Sequence, residues 1–450
     1  MAENPVQARV GALRRLARRR AAGPLERALQ KSNSETISRA VTHLTWADTR
    51  FIMEFVSDDQ GGEVLLSMDD DRFEHILESL ETDKVMGWMD YLEPDDAADL
   101  IARFPPELQS QALQQMEAED REDVEDLLAY PEDTAGGIMS PVAFLLNEDT
   151  TCREAIEALQ EQGDVEMVFY LYLVNESDQL TGVTSLRQLL LNPPSKPLKE
   201  LANPDVITVT PDTDQEEVAR MAAHYDLLAV PVCDDTRKFL GIVTIDDVLD
   251  VVQEEAAEDM MKMAGVGEAY DPQGRSVLKA AQQRLTWLLV TAVGGLGLAR
   301  VIMGFEESLA QEAVLAGFIP VIMGLGGGVG IQGATITVAS LATGQMSMTE
   351  NLGKLVFREA RVGVLMGLVL SLVLLGGGWL LGGQIVGIAV GVSILCVVLA
   401  SALIGMLIPV ALKRVGVDPA VATGPFVTLT IDTIAILLYF SIATMLLRVM

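Results

Sequence analysis

The chain has 450 residues, half of them hydrophobic, and its 64 Asp+Glu against 32 Lys+Arg give a formal net charge of −32. That acidity repels phosphodiester backbones and excludes nucleic acid as a partner, whereas carboxylate oxygens suit divalent cations. Cys152, Cys233 and Cys396 are unclustered and odd in number, so neither a disulfide framework nor a zinc spacing is present and a reducing cytosol fits. Charge is also segregated: only 8 Lys+Arg and 7 Asp+Glu lie from Arg284 onward. A soluble acidic part followed by a membrane part is expected.

Residues 1–30 read as a basic tail. Arg9, Arg14, Arg15, Arg18, Arg19 and Arg20 crowd a helical-looking segment without the apolar region of a secretory signal. It is either solvated or drawn to anionic headgroups or to the acidic body. Residues 31–130 read as an all-α helical domain. Ser32-Asn33-Ser34-Glu35, Pro94-Asp95-Asp96 and Pro105-Pro106-Glu107 each open a segment with apolar residues at helical spacing, such as Phe73, Ile76, Leu77 and Leu80.

Residues 131–252 hold an internal repeat, each copy running strand–helix–strand–strand–helix. The first passes from Met139-Ser140-Pro141 through Leu171-Tyr172-Leu173-Val174 to Gly182-Val183-Thr184-Ser185. The second passes from Asn203-Pro204 through Val230-Pro231-Val232 to Gly241-Ile242-Val243-Thr244. These landmarks resemble a tandem pair of CBS modules, an α/β unit with a cleft between its halves. From Asp246 to about Gly267 the chain reads as one acidic, Met-rich helix, and a turn-like stretch at Tyr270-Asp271-Pro272-Gln273-Gly274 precedes the membrane, so residues 253–283 form the connecting segment.

Five apolar stretches follow within 284–450: Leu285–Met303, Ala313–Ala342, Val362–Leu381, Ile385–Leu412 and Ala420–Leu447. Each approaches the roughly 20 residues a helix needs to cross a bilayer, and the glycine-interrupted second is expected to bend or break. Arg284, then Lys354, Arg358 and Arg361, then Lys413 and Arg414 fall on one side, with Glu306, Glu307 and Glu312 on the other. The side rich in cations is cytoplasmic. The expected fold is thus multidomain: an all-α N-terminal domain, an α/β CBS pair, and an α-helical membrane domain of five transmembrane helices.

Asp432 is the only Asp, Glu, Lys, Arg or His in the interior of any of those spans, Arg300 lying near the end of the first. Ten residues past an entry near Ala422, it sits roughly 15 Å deep, near the bilayer midplane. A carboxylate there marks an ion or proton path by default, and Thr428, one turn earlier, shares its face. The bland alternative is a protonated Asp that hydrogen-bonds between helices. In the second span the run from Pro320 to Gln332 places Gly324, Gly327 and Gly328 among further glycines. Glycine at this density serves close helix packing, exposed carbonyls along a water-lined path, or both.

Taken in order, these parts resemble the MgtE family of magnesium channels or transporters, as do Asp214-Gln215-Glu216-Glu217-Val218-Ala219-Arg220, Gly241 to Asp250, and Gly416-Val417-Asp418-Pro419. The resemblance implies a homodimer in the cell (inner) membrane, its N-terminal domains cytoplasmic and its two Asp432 carboxylates lining a Mg²⁺ pore. It further implies Mg²⁺ ions that bridge the soluble parts and close the pore. The matching positions are Glu63, Asp95 and Asp99 in the helical domain, and Asp214, Glu216, Asp226, Asp247 and Asp250 in the CBS pair. Glu255 and Glu258 match on the connecting helix, and Asp418 at the membrane entrance. ATP at the CBS pair is implied too, with Tyr170, Arg187 and Asp247 as binding residues.

Two departures from the family pattern bear on these expectations. Gly328, Val329 and Ile331 replace polar groups of many members, which weakens the case for strict Mg²⁺ selectivity and opens the alternative of a broader Co²⁺, Mn²⁺ or Ni²⁺ transporter. Gln188 stands where an adenosine-binding module often carries Asp, although Gly241, Thr244 and Asp247 complete that pattern in the second copy. A non-conducting, membrane-anchored Mg²⁺ or nucleotide sensor is the alternative from another class. No Walker loop, nucleophile–His pair or catalytic metal triad appears, so enzymatic activity is not expected.

Overall fold

The computed structural model describes residues 5–161, 169–266, 277–306, 312–343, 346, 352–422 and 424–449. The turn expected at Tyr270–Gly274 lies outside them. The chain forms two compact units, Met1–Val252 and Gln253–Met450.

In the first unit, short helices follow one another from α1 to α10: α1 (Pro5–Arg18), α2 (Ala22–Leu29), α3 (Ser34–Val41), α4 (Trp46–Met53), α5 (Asp58–Leu66), α6 (Asp70–Ser79), α7 (Thr82–Met89), α8 (Pro94–Ala102), α9 (Pro106–Gln115) and α10 (Ala118–Leu127). The expected start signals do their work. Asn33 caps α3 by accepting from the Thr36 amide at 3.2 Å, and Pro94 and Pro106 occupy first-turn positions where no amide donor is needed. Packing skips along the chain, with α1 on α3, α3 on α5, and α5 on both α7 and α8.

The few cations of this domain tie neighbouring helix ends together. Arg72, 8% exposed, donates to the Val41 and Leu44 carbonyls at 2.8 and 3.2 Å. Arg103 donates to Leu66 and Met68 at 2.9 and 2.7 Å, and Arg14 to Ala40 at 3.0 Å. Carbonyls that a short helix leaves open at its C-terminus are satisfied in this way. Residues 5–30, expected as a helical-looking tail, form two helices that belong to the domain's core. Leu13 and Ala17 of α1 and Leu25 and Leu29 of α2 are buried in the core of the domain, because the arginines alternate with an apolar stripe that helical periodicity gathers on one face.

The repeat folds as expected. Its first copy comprises β1 (Leu145–Asn147), α11 (Cys152–Glu161), β2 (Tyr170–Val174), β3 (Leu180–Ser185) and α12 (Leu186–Leu191); its second comprises α13 (Gln215–Tyr225), β4 (Ala229–Cys233), β5 (Phe239–Thr244) and α14 (Ile245–Met263). The first strand of the second copy shrinks to a single bridge, Val209 to Val232. Each copy's last strand takes a bridge from the segment leading into the other: Val183 to Asn203, and Ile242 to Ser140. Glycine makes that approach possible. A Cβ on Gly182 would lie 2.8 Å from Ala202 Cβ, and one on Gly241 would lie 2.6 Å from the Ser140 carbonyl oxygen. The helical domain and the second module share one core, in which Trp88, Leu100 and Ile101 join Val218, Val230 and Val248.

The helix expected from Asp246 is present: α14 begins inside the second module and continues to Met263. In the second unit, helices span Val277–Met303, Val314–Ala342, Leu352–Arg414 and Pro425–Val449. The third, of 63 residues, contains Gly383 at φ 82° and ψ −175°, a backbone state that suits glycine. There the chain doubles back. A Cβ on Gly378 would lie 2.8 Å from Gly387 Cα, one on Gly367 would meet Leu395, and one on Gly363 would meet Leu399 and Ala402. The rising first number and falling second define an antiparallel hairpin, so five apolar helical passes result.

Of the bend or break expected in the second pass, the break is absent. Despite Pro320 and its glycines the pass runs unbroken from Val314 to Ala342. A Cβ on Gly326 would lie 3.0 Å from Val397, 3.3 Å from Ser401 and 3.5 Å from Ala435. Close packing against the fourth and fifth passes offsets the helix cost of these glycines.

Candidate functional site

Asp432 lies on the fifth pass, half-buried, with its Oδ1 3.6 Å from where a Cβ on Gly327 would stand. Among the described residues its carboxylate has neither a hydrogen bond nor an ion pair. Gly324 and Gly328 have nothing within 4 Å of their Cβ positions. The glycines of the second pass therefore divide by face: Gly326 packs, Gly327 meets Asp432, and Gly324 and Gly328 face open space. The Thr428 and Thr433 hydroxyls donate to their own helix, to Gly424 at 3.3 Å and Leu429 at 2.8 Å. Their oxygen lone pairs remain as acceptors.

At the end of α14, Lys262 lies between two of the expected metal ligands. Its Nζ is 2.7 Å from Glu258 and 2.7 Å from Asp418, and its side chain is 13% exposed. Asp418 also accepts from the Ala420 amide at 2.8 Å. Burial opposes the Lys262 charge, but the hydrogen bonds and charges of Asp418 and Glu258 outweigh it and push its pKa up. Glu258 and Asp418 thus share a cation supplied by the chain itself.

A second acidic group joins the start of α8 to the start of α14. Asp95 accepts from Ser140 Oγ at 3.3 Å. Burial, joined by the charges of Asp95, Asp247, Asp99 and Glu93, raises Asp96 to about 7. Burial likewise raises Asp247 to about 7, with Asp95 and Asp246 adding to it and hydrogen bonds from Thr244 opposing it. Asp95 is raised for the same reason, with Asp246 contributing. No cation appears among the causes of these shifts.

Of the other expected ligands, Glu63, Asp99, Asp214, Asp226 and Asp250 are exposed. Asp214 caps α13, accepting from the Glu216 amide at 2.8 Å, and Asp226 ends that helix at φ 53°. Among the described residues no three His, Cys, Asp or Glu side chains converge closely enough to ligate an ion directly. The donor chemistry nevertheless fits Mg²⁺, which keeps several waters and is held through a few carboxylate oxygens. Asp96, Asp246 and Lys262 were missed in the sequence. Asp96 and Asp246 each adjoin a chosen residue, whereas nothing local distinguishes Lys262.

The CBS cleft has a volume of about 300 Å³, and Tyr170, Tyr172, Thr184, Gln188 and Asp205 are among its lining residues. Tyr170, one of the residues implied for nucleotide, lines the cleft. Arg187 is exposed and, like Asp247, does not line the cleft.

Family models match three stretches: a divalent cation transporter (MgtE) over residues 319–442, the MgtE intracellular N domain over 32–133, and CBS domains over 135–193 and 198–254. The magnesium transporter MgtE of Thermus thermophilus is 36% identical over 357 residues, 78% of this chain and 79% of its own length. The chain belongs to the MgtE family. The MgtE transporters of Enterococcus faecalis and Bacillus subtilis are 36% and 34% identical over 74% and 79% of the chain, and 73% and 79% of their own lengths. Among solved structures, the cytosolic domain of the Mg²⁺ channel MgtE in complex with ATP aligns with a TM-score of 0.51 and 30% identity over 54% of this chain and 99% of its own. The soluble part of a magnesium transporter aligns with a TM-score of 0.50 and 26% identity over 56% and 99%. The MgtE organisation of helical domain, CBS pair and apolar helical region is therefore that of this chain.

Proposed function

We propose that this MgtE protein carries Mg²⁺ across the cell membrane into the cytosol, along a path past Asp432, and that cytosolic Mg²⁺ on its acidic soluble domains closes that path. One observation carries the reading: a carboxylate deep in an apolar helix, set against the bare backbone of Gly327, without a partner among the described residues. A wide site with few carboxylates suits an ion that dehydrates reluctantly. The path is shared by two copies, each contributing Asp432, with Gly324, Gly328 and Thr428 beside it. The soluble domains face the cytoplasm, as the cationic loops require.

Closure follows from the acidic groups. Two carboxylates 4 Å apart repel by about 4 kcal/mol at an effective dielectric near 20, and a divalent ion between them reverses that sign. Mg²⁺ then favours the packed state by its differential affinity for it. Asp95, Asp96, Asp246 and Asp247 are the group on which this acts, with Glu63, Asp99, Asp214, Glu216, Asp226, Asp250 and Glu255 as further carboxylates of the same surfaces. ATP, bound by the relative, is the ligand of the CBS cleft, its base end beside Tyr170.

The test is divalent uptake into proteoliposomes, with Mg²⁺ varied on the cytoplasmic face. Wild-type flux should prefer Mg²⁺ and fall as that Mg²⁺ rises, and Asp432→Ala should lower it at least about tenfold, the change given by 1.4 kcal/mol of lost ion stabilisation. Wild-type flux in Asp432→Ala would refute the path. A second reading has its own observation: Gly328 is open and Ile331 is 41% exposed, so no side-chain oxygen is added there. Equal or greater Co²⁺ flux would establish that broader transport, and absence of flux under every condition would leave a membrane-anchored sensor.

A further inference from the structure

The fifth pass meets the second at two levels. Around Asp432 the contact is bare backbone: Gly327 faces the carboxylate, a Cβ on Gly330 would collide with Ile431, and one on Gly326 would lie 3.5 Å from Ala435. Two turns further along the same helical face comes Tyr439. It is fully buried, and its hydroxyl donates to the Leu315 carbonyl of the second pass at 2.9 Å. The threonines nearer the carboxylate behave otherwise. Thr428, Thr430 and Thr433 donate to Gly424, Phe426 and Leu429 of their own helix, whereas Tyr439 reaches across to a neighbour. Ser393 of the fourth pass, also fully buried, donates in turn to the Tyr439 carbonyl at 3.5 Å.

The Leu315 carbonyl lies at a weak place in its helix. Pro320 has no amide hydrogen, so the Ala316 carbonyl four residues earlier receives no helical donor, and the proline ring presses on it. Sharp kinks in long helices gather at proline, and membrane helices tolerate proline where neighbouring groups hold the loosened backbone. Beyond Pro320 the glycine contacts with the fourth and fifth passes set the course of the helix. Before it, Leu315 and Phe318 share an apolar core with Tyr439. Apolar contact is non-directional and lets helices slide. The Tyr439 hydrogen bond has a distance and an angle, and therefore fixes a register.

Resting on the reading of Asp432 as the carboxylate of the ion path, we propose that Tyr439 is a positioning residue for that path. Its hydroxyl holds the segment before Pro320 against the fifth pass, and so fixes how far the Gly327 backbone stands from the Asp432 carboxylate. Tyr439 does not touch the ion; it acts through the second pass. Mg²⁺ keeps several waters and takes few carboxylate oxygens, so the spacing of the walls governs how well such a site holds it, and a slack wall weakens binding.

Initial uptake rates in proteoliposomes of the full chain, measured against Mg²⁺ on the face opposite the soluble domains, test this. Tyr439→Phe keeps the ring and its packing, removes the donor and leaves no donor unpaired. The half-saturating Mg²⁺ should rise about threefold, the change that roughly 0.7 kcal/mol makes at tenfold per 1.4, which is the scale of an interhelical hydrogen bond in a membrane. Maximal rate should stay within about twofold. A partly misfolded variant would do the reverse, losing maximal rate at unchanged half-saturation. Pro320→Ala returns an amide to the Ala316 carbonyl, so in that background Tyr439→Phe should shift half-saturation by less than about 1.5-fold. Ser393→Ala removes a buried hydrogen bond from the same residue without touching the second pass and should leave half-saturation at the wild-type value. An unchanged half-saturation in Tyr439→Phe, an equal shift in Ser393→Ala, or the full threefold shift in the Pro320→Ala background would overturn the proposal while leaving the path intact. Wild-type flux in Asp432→Ala, or no flux in the wild type, would remove the path itself and the proposal with it.

Discussion

The two ends of α14 handle negative charge in opposite ways. At its end, Glu258 and Asp418 are joined by Lys262, and both contacts measure 2.7 Å. At its start, Asp247 confronts Asp95 and Asp96, and burial and like charges act on these three, opposed only by hydroxyl and amide hydrogen bonds. The first contact carries its own cation. Among the described residues the second lacks one, so protons or divalent ions decide whether it is favourable. A channel that senses Mg²⁺ needs contacts of the second kind as the variable part and benefits from the first as a fixed reference.

The largest consequence is pH dependence without Mg²⁺. Asp96 and Asp247 are raised from 3.8 to about 7, so their stabilising contribution is full below pH about 3.8 and is lost as pH rises through about 7. At 1.36 kcal/mol per unit, and with allowance for partial solvation, the two together amount to about 3 kcal/mol. Denaturant unfolding of the chain in EDTA should show the Met1–Val252 unit weakening between pH 5 and 8.5, with Mg²⁺ restoring it. Lys262 has the same sign in a different window: a raised lysine pKa gives stability that is present below its usual 10.5 and is lost only above its elevated value. Its contact should be flat over the same window. A pH-independent Met1–Val252 unit would erase the distinction between the two ends.

Removing the internal cation tests the same distinction from the other side. Lys262→Met leaves Glu258 and Asp418 facing each other without a counter-charge. Loss of one partner from a buried pair costs 3–5 kcal/mol, and the partial exposure of both carboxylates reduces that to about 2 kcal/mol. Thermal melts in EDTA should show the loss, and millimolar Mg²⁺ should reverse most of it by replacing the ammonium. An unchanged melting midpoint in EDTA would mean that the pair is not a structural contact.

How far the sequence could be read divides along similar lines. Helix starts at Asn33, Pro94 and Pro106, the doubled CBS pattern and all five apolar passes are legible because each rests on local spacing. Gly383 appears in the sequence only as one glycine in a run, yet it reverses a 63-residue helix. The reading of residues 1–30 as a tail failed because six arginines outweighed the Leu13, Ala17, Leu25 and Leu29 stripe in composition, although periodicity favours the stripe. Of the acidic sites, Asp95 and Asp247 could be matched to a pattern. Their environment could not, since it depends on which residues 150 positions apart in sequence come together. Lys262 and Asp418, 156 residues apart, show the same limit.

Asp96→Asn should uncouple the start of α14 from protons. It removes the most crowded carboxylate of the group, the one on which Asp95, Asp247, Asp99 and Glu93 all act, and keeps its shape. At pH 8 in EDTA the gain should be about 1.5 kcal/mol, roughly half the pH-linked total above, and it should shrink as pH falls and vanish below about 3.8, where the carboxyl is neutral in both folded and unfolded chains. A gain that stays undiminished at low pH would point to packing rather than charge. In proteoliposomes the same variant should shut at lower cytoplasmic Mg²⁺ than wild type.

Asp247→Asn is the smallest effect and the most discriminating. Asp247 has the same raised value as Asp96, and charge relief alone would give a similar gain. However, its Oδ2 accepts from the Thr244 amide at 3.3 Å and from the Thr244 hydroxyl, which caps the start of α14. An amide oxygen accepts those bonds less strongly than a carboxylate, at a cost of about 1 kcal/mol. The two terms nearly cancel, leaving about 0.5 kcal/mol of stabilisation at pH 8 and a loss of about 1 kcal/mol at Asp247→Ala, where the cap disappears as well. If Asp247→Asn instead matched Asp96→Asn in denaturant midpoint, the Thr244 cap would contribute nothing and Asp247 would be held in place by charge alone.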